Sequence, residues 1–325
     1  MICFSNIHAM GFKIKNVIKR YISNIFQYKL KKTWVDYSKK NYQVIENVLN
    51  VDPLSLNNID LQKVRINILT LIGPLDLNTF HLSLLGAMHT SKNIIGKIIL
   101  ITPKENVLLV ENKVSELFKS FKAVDFEVLS DDEIIGEFPK IVAILNTVPP
   151  KRKNWYLQQV IKTLIATKYN EPILIVDSDL IIISKRLWVN DAGEHLIYLR
   201  NEFNPQYNVT INKLFKYKFP FFDFVSHCAI FIGKYFVQMA NGDIEEFLVK
   251  MIKISNSKYH SSPISEYQTY GQFMFKNYPE SLYSAKQNQI NVDLRELHLG
   301  IGYDEVASGF ENYDAVHLIH KDLVR

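Results

Sequence analysis

The chain has 325 residues, of which 47% are hydrophobic and 22% are charged. This composition is typical of a globular protein and excludes a fibrous or wholly disordered chain. A chain of this length buries enough apolar surface to fold without disulfide or metal staples. With 2 cysteines, Cys3 and Cys228, a disulfide scaffold of the secreted type is excluded, and a reducing, cytoplasmic location is the expectation.

The positive charge is confined to the N-terminus. The formal net charge is +5, yet residues 1–45 alone hold nine Lys or Arg against one acid, Asp36, for a net of +8. The remaining residues carry 29 basic and 32 acidic side chains, a net of −3. The body of the protein is therefore not expected to bind nucleic acid.

This basic segment also carries a helical pattern. Seven apolar residues between Ile14 and Phe26 fall on one face of a helix, and Lys and Arg occupy the other. Such a helix can lie on an anionic membrane surface through residues 12–32, or dock on the protein's own domain or on a second copy. The repeated Lys and Arg exclude a secretory signal or a spanning helix. We therefore divide the chain into a basic amphipathic arm (1–45), a linker (46–63) and one domain (64–325).

From Val64 onward the chain alternates apolar β-rich runs with helical periodicity, which predicts an α/β fold. A mainly parallel, Rossmann-like sheet flanked by helices is expected, with mixed pairing in the second half, and its ligands should lie at the carboxyl ends of the strands. The predicted elements in chain order are strand Val64–Ile72, helix Leu77–Thr90, strand Lys97–Ile101, helix Val107–Phe121, strand Val124–Leu129, helix Trp155–Thr167, strands Ile173–Val176, Leu180–Ile183, Leu196–Leu199 and Phe224–Ile232, helices Ile244–Ile254 and Glu266–Tyr278, and strand Ala315–Ile319.

Two carboxylates follow the most apolar of these strands. Ile173–Val176 runs directly into Asp177, Ser178 and Asp179, and side chains two residues apart in an extended chain point the same way. Paired carboxylates suit Mg²⁺ or Mn²⁺. Two other interpretations stay open: one aspartate caps a turn while the other is solvated, or Asp177 is a phosphatase nucleophile, although Ile181 stands where that motif has Thr or Val.

Three segments together resemble the GT-A-type glycosyltransferases, and within them an uncharacterised bacterial family of presumed transferases. The segments are Trp155-Tyr156-Leu157-Gln158-Gln159, Asp177-Ser178-Asp179 and Ser265-Glu266-Tyr267-Gln268-Thr269-Tyr270-Gly271. The resemblance extends from about Val64 to the C-terminus. It implies a GT-A-like domain in which Asp177 and Asp179, with a divalent cation (Mn²⁺ or Mg²⁺), hold the diphosphate of a nucleotide-sugar donor.

The same resemblance implies a late histidine as a further metal ligand. His317 fits that position better than His320, but the C-terminal signature H-x-x-G-x-x-K-P-W is absent, so the third ligand stays open between them. It also implies a general base at the start of a helix downstream of the metal strand, a position that Glu266 occupies after the N-cap residue Ser265. The alternative for Glu266 is favourable helix electrostatics without catalysis.

Further candidates for donor binding come from position alone. Trp155, Gln158, Gln159 and Lys162 recur at helical spacing and can approach donor phosphates or sugar hydroxyls, although Trp155 is equally suited to the core. Asp76 follows the first strand, where it can contact the nucleotide base or ribose.

The function expected from the sequence is that of a metal-dependent glycosyltransferase. It would transfer sugar from a nucleotide-sugar donor to a surface glycan or lipid-linked acceptor, at the cytoplasmic face of the membrane. Two alternatives stay open: a phosphohydrolase or nucleotidyltransferase that uses the same acidic pair, and a catalytically silent membrane-associated binding module.

Overall fold

A computed structural model describes residues 62–119, 124–200, 204–217, 223–255, 263–287, 289–293 and 302–319. The strands within these ranges are β1 (Gln62–Leu71), β2 (Asn93–Thr102), β3 (Asp125–Ser130), β4 (Ile173–Val176), β5 (Leu180–Ile182), β6 (His195–Leu199), β7 (Cys228–Phe231), β8 (Leu282–Lys286), β9 (Gln289–Asp293) and β10 (Ala315–Ile319). The helices are α1 (Phe80–Thr90), α2 (Val107–Phe118), α3 (Asp131–Gly136), α4 (Pro139–Leu145), α5 (Pro150–Lys168), α6 (Pro205–Phe215), α7 (Gly233–Met239), α8 (Ile244–Ser255), α9 (Glu266–Asn277) and α10 (Tyr303–Gly309).

The central sheet has five strands in the order β3-β2-β1-β4-β7. The first four strands in this order are parallel, and β7 is antiparallel to β4, with Val176 opposite Cys228. Because β7 runs the other way, the residues that precede it lie at the carboxyl end of β4. The chain just before Cys228 therefore reaches the edge where ligands of parallel sheets bind.

Two apolar layers cover this sheet, one on each face. Alternate strand residues point to opposite faces: Leu69 and Ile175 pack with α5, α8 and α9, while Ile68 and Leu174 pack with α1 and α2. Burial on both sides explains why these strands are almost continuously apolar.

Two small sheets complete the architecture. In the first, with order β5-β10-β9, β10 pairs antiparallel with β5, so that His317 lies opposite Leu180. This pairing brings the end of the chain next to the residues that follow β4. The second sheet joins β6 and β8 in parallel.

The predicted α/β architecture and its mainly parallel sheet are confirmed, and β4 and β10 have the predicted bounds. Helix α5 begins at Pro150, five residues before the prediction, because proline fits the first helical turn. The predicted strand Phe224–Ile232 is too long, since only Cys228–Phe231 pairs with β4. The elements not predicted are α3, α4, α6, α7, α10, β8 and β9.

The predicted arm (1–45) and nearly all of the linker (46–63) lie outside the described residues. Among the helices that are described, none combines the length and the hydropathy needed to cross a bilayer.

Candidate active site

Asp177 lies at the carboxyl end of β4, where three side chains and one main-chain carbonyl contact it. Its carboxylate Oδ1 accepts hydrogen bonds from Lys162 Nζ at 2.6 Å and from Tyr267 OH at 2.8 Å, and Oδ2 lies 3.0 Å from His227 Nδ1. Its backbone N–H donates to the carbonyl of His227 at 2.9 Å. The side chain keeps 21% of its surface exposed.

Five residues form a buried polar group around this contact, which we call the inner cluster: Gln159, Lys162, Asp177, Glu266 and Tyr267. Lys162 Nζ donates to Glu266 Oε1 at 2.8 Å as well as to Asp177. The side-chain amide oxygen of Gln159 accepts from the backbone N–H of Glu266 at 2.9 Å. Helices α5 and α9 are thereby joined to the end of β4.

Local sequence explains how α9 presents these groups. The hydroxyl of Ser265 accepts from the backbone N–H of Gln268 at 3.3 Å, which confirms the predicted N-cap and starts the helix at Glu266. Glu266 and Tyr267 are then consecutive residues of the first turn. On α5, Gln159 and Lys162 lie three residues apart and share one helix face.

The inner cluster contains two carboxylates, Asp177 and Glu266, and one ammonium group, Lys162. Burial alone would raise the pKa of Asp177, but Lys162 and His227 hold it well below its ordinary value. Burial alone would lower the pKa of Lys162, but Asp177 and Glu266 raise it. Burial raises the pKa of Glu266, which Lys162 offsets only in part. Two carboxylates thus share one ammonium group, and Asp177 is the one that stays firmly ionised.

Glu266 itself is 2% exposed. Its Oε1 is held by Lys162, whereas Oε2 is buried and has no hydrogen-bond partner among the described residues. A buried carboxylate oxygen without a donor is costly, so Oε2 is a place where a hydroxyl group or a water molecule would be stabilised.

Asp179 lies in a more open environment, with 32% of its side chain exposed. Its Oδ2 lies 3.3 Å from His317 Nε2, and its carbonyl accepts from the backbone N–H of Leu318 at 2.7 Å. We call Asp179 and His317 the outer pair. Burial alone would lower the pKa of His317, but the hydrogen bond and charge of Asp179, together with the charge of Asp177, raise it.

The expectation that Asp177 and Asp179 point the same way assumed an extended chain. Strand β4 ends at Val176, and the backbone N–H of Leu180 donates to the carbonyl of Asp177 at 3.0 Å, which closes a turn. The two carboxylates therefore have different partners.

His227 links these two environments. Its ring stacks on that of His317 with centroids 4.3 Å apart and an angle of 26° between the planes, while Nδ1 contacts Asp177. The sequence interpretation missed this residue by placing it inside a strand. Its contacts come from residues 50 or more positions away, so no local pattern marks it.

Asp76 also reaches the D-S-D segment, through its middle residue. The hydroxyl of Ser178 donates to Asp76 Oδ2 at 2.8 Å, and the carbonyl of Ser178 accepts from Ser83 Oγ at 2.8 Å. Asp76, five residues after β1, is thereby placed at the same sheet edge as Asp177 and Asp179. A contact between Asp76 and a nucleotide stays a prediction.

The four α5 residues predicted to share one face are separated in the structure. Gln159 and Lys162 are buried in the inner cluster, whereas Gln158 is exposed. Trp155 is half-buried and packs against the core, with its ring edge-on to Tyr156 at 5.2 Å. Only two of the four residues therefore contact the inner cluster.

The predicted metal ligands fit a divalent cation in their chemistry, since carboxylates and an imidazole are common ligands. Asp179 Oδ2 and His317 Nε2 are 3.3 Å apart, close to the separation of about 3 Å between adjacent ligands of an octahedral cation. In the described parts of the chain, no three His, Cys, Asp or Glu side chains are already arranged around one point. His320 lies outside those parts.

A family model described as a family of unknown function, DUF6492, matches residues 78–289. The chain belongs to this family. The match includes α5, β4 and α9, and so the whole inner cluster and Asp179. It ends before His317. No curated protein matches the sequence.

Solved structures of similar fold are glycosyltransferases. The mannosyltransferase Ktr4p from S. cerevisiae is 11% identical, with a TM-score of 0.50, over 77% of this chain and 78% of that one. The galactosyltransferase LgtC, in complex with donor and acceptor sugar analogs, is 10% identical (TM-score 0.45; 78% and 87% covered). Mouse xyloside xylosyltransferase 1 is 10% identical (TM-score 0.42; 78% and 97% covered). The fold of this DUF6492 member is of the GT-A type, as predicted.

Proposed function

We propose that this protein is a metal-dependent glycosyltransferase that transfers a sugar from a nucleotide-sugar donor to a glycan or lipid-linked acceptor. The observation that carries the proposal is the placement of Asp177 and Asp179 at the carboxyl edge of a GT-A-type sheet, with His317 beside Asp179. The likeness in fold to a mannosyltransferase supports it.

In this proposal Asp177, Asp179 and His317 would hold the cation. Bound Mn²⁺ or Mg²⁺ would neutralise the diphosphate as it leaves the sugar. Lys162, Tyr267 and His227 hold the carboxylate of Asp177 in a fixed orientation, so it would need little reorganisation to bind the cation.

Glu266 is the candidate general base. Its raised pKa suits a proton acceptor, and Oε2 is the oxygen that does not contact Lys162. The Glu266→Gln variant should bind the donor normally and lose orders of magnitude in transfer rate. Normal transfer by this variant would exclude the role.

The alternative of a phosphatase with Asp177 as nucleophile is less well supported by the sequence, because Ile181 stands where that motif has Thr or Val. Hydrolysis of a simple ester such as p-nitrophenyl phosphate, lost in Asp177→Asn, would favour that alternative.

The central test measures thermal unfolding with UDP or GDP, in the presence and absence of Mn²⁺. A nucleotide at one hundred times its Kd stabilises the folded state by about 2.7 kcal/mol, which is a rise in Tm of about 5 °C. We expect this rise only when Mn²⁺ is present. Release of nucleoside diphosphate from a panel of nucleotide sugars then identifies the donor.

The matched variants are Asp179→Asn, in the outer pair, and Asp304→Asn, at an exposed position of α10. The first should abolish the Mn²⁺-dependent rise, and the second should leave it unchanged. An equal rise in wild-type protein and in Asp179→Asn would contradict the proposed site.

The lipid-linked acceptor and the cytoplasmic membrane face rest on the basic arm. We expect the full chain to float with anionic liposomes and a chain without residues 1–45 to stay behind. Equal flotation of both chains would remove this part of the proposal.

A further inference from the structure

His227 contacts both parts of the candidate site. Its carbonyl accepts from the backbone N–H of Asp177 at 2.9 Å, and its Nδ1 lies 3.0 Å from the carboxylate of the same residue. Asp177 is thus held by the main chain and the side chain of one histidine. The ring of His227 also lies against that of His317, which fixes the plane of that imidazole as well.

The direction of the hydrogen bond from His227 follows from the charge of its partner. The carboxylate of Asp177 also accepts from Lys162 Nζ and from Tyr267 OH, and a carboxylate only accepts. Nδ1 of His227 therefore donates to Oδ2. Nδ1 of His227 is thus bonded to Asp177, and one face of its ring lies against His317. Both contacts act on the orientation of these two neighbouring side chains.

The backbone of His227 is unusual as well. Its φ is +60°, in the left-handed region that residues other than glycine seldom adopt. Such conformations persist where the surrounding structure holds them, and they concentrate at functional sites. A glycine would adopt this backbone more easily, so a histidine at this position carries a conformational cost.

We propose that His227 is a positioning residue, which orients the carboxylate of Asp177 by hydrogen bonding and the imidazole of His317 by stacking, so that both present their ligand atoms to one divalent cation. This inference rests on the proposed cation site. It assigns to the segment before β7 a role in metal affinity.

The test measures the affinity of the full chain for Mn²⁺ alone, from the loss of the electron paramagnetic resonance signal of free Mn²⁺. His227→Gly removes both contacts and keeps the left-handed backbone, and we expect it to bind Mn²⁺ ten- to a hundredfold more weakly. His227→Asn keeps an N–H donor near the position of Nδ1, and His227→Phe keeps the stacked ring. Each should lose less affinity than the glycine variant.

The control for the backbone is Asn241→Gly, in the turn between α7 and α8, where Asn241 has a φ of +52°. It relieves the same kind of conformation outside the site and should leave Mn²⁺ affinity unchanged. Unfolding midpoints without Mn²⁺ show whether each variant folds. If His227→Gly does not fold, the test uses His227→Asn instead. That variant lacks the ring contact with His317 and should bind Mn²⁺ about tenfold more weakly than wild type.

The outcomes separate this inference from the proposed function. The positioning role is overturned if His227→Gly binds Mn²⁺ within twofold of the wild-type affinity while Asp179→Asn still abolishes binding. If His227→Gly does not fold, the same criterion applies to His227→Asn. Absence of Mn²⁺ binding in the wild-type protein overturns the cation site and the positioning role together.

Discussion

The two aspartates of the D-S-D segment differ in which part of the molecule surrounds them. Asp177 follows β4 of the central sheet, where α5 supplies an ammonium, α9 a phenol and the segment before β7 an imidazole. Asp179 belongs with the small sheet of β5, β9 and β10, and its partner is His317. Asp177 accepts hydrogen bonds from three side chains, whereas the side chain of Asp179 is 32% exposed and contacts His317 at 3.3 Å, a contact that it can exchange for a ligand.

This difference indicates a division of labour within one short motif. A carboxylate held by several donors provides a fixed reference point for a site, and one with fewer contacts provides the ligand atoms that change partners. We therefore expect loss of the Lys162 ammonium, which Asp177 and Glu266 share, to act on folding first, and substitutions in the outer pair to act on binding first.

The largest effect is expected from Lys162→Met. Removing the ammonium leaves Asp177 and Glu266 as buried carboxylates without their shared cation, which should cost about 3–5 kcal/mol in the free energy of unfolding. Urea denaturation measures it. Lys168→Met, at the exposed end of the same helix, should change stability by less than about 0.5 kcal/mol.

A substitution in the outer pair should have a much smaller effect on the free energy of unfolding in the same urea experiment. Asp179→Asn should cost less than about 1 kcal/mol, because partly exposed pairs contribute little. Losses of similar size in Lys162→Met and Asp179→Asn would remove the distinction between the two regions.

A smaller effect is expected from Gly271→Ala. The added methyl group would lie 2.6 Å from Phe224 Cβ, where α9 packs against the segment before β7, and overpacking of this kind costs about 1–3 kcal/mol. The matched change on the small-sheet side is Gly309→Ala in α10, where nothing lies within 4 Å. Thermal unfolding should show Gly309→Ala to be neutral or slightly stabilising. If it destabilises the protein as much as Gly271→Ala does, the close contact with Phe224 is not the cause of the effect.

The effect that is smallest at neutral pH concerns how stability depends on pH through His195. His195 Nε2 lies 3.2 Å from the hydroxyl of Tyr270 in α9, and burial, with the charge of Lys234, lowers the pKa of His195 to about 3. The unfolded chain protonates this residue near pH 6.5 and the folded one does not. The free energy of unfolding should therefore fall as the pH drops below about 6.5, by up to about 1.4 kcal/mol per unit.

His195→Gln keeps a polar partner for Tyr270 and does not titrate. The difference in stability between wild type and variant should then change with pH between 7 and 5, as measured by urea denaturation at each value. Parallel curves would show that folding does not lower the pKa of His195.

The sequence predicted the parts of this structure that depend on local pattern. The apolar run of β4 located Asp177 and Asp179 at a sheet edge, and Ser265 located the start of α9. Both signals lie within a few residues of the feature that they mark. The three segments that resemble GT-A enzymes added the fold.

Contacts between distant segments could not be predicted in this way. The spacing of Gln159 and Lys162 placed them on one helix face, but their burial against Glu266 depends on how α5 and α9 pack. His227 was missed because its role depends on pairing between β4 and β7 and on a left-handed backbone that histidine does not signal. The turn after Val176, which separates the two aspartates, is likewise set by the pairing of β5 with β10.

The reversed direction of β7 has a consequence for variation among relatives. In a parallel strand, an insertion ahead of the strand falls at the edge of the sheet remote from ligands, but here the described residues just before β7, which include His227, lie at the site. Loops change length more readily than strands do. A gain or loss of residues between Phe215 and Cys228 would therefore alter the neighbourhood of the two aspartates while every strand of the central sheet stays in register.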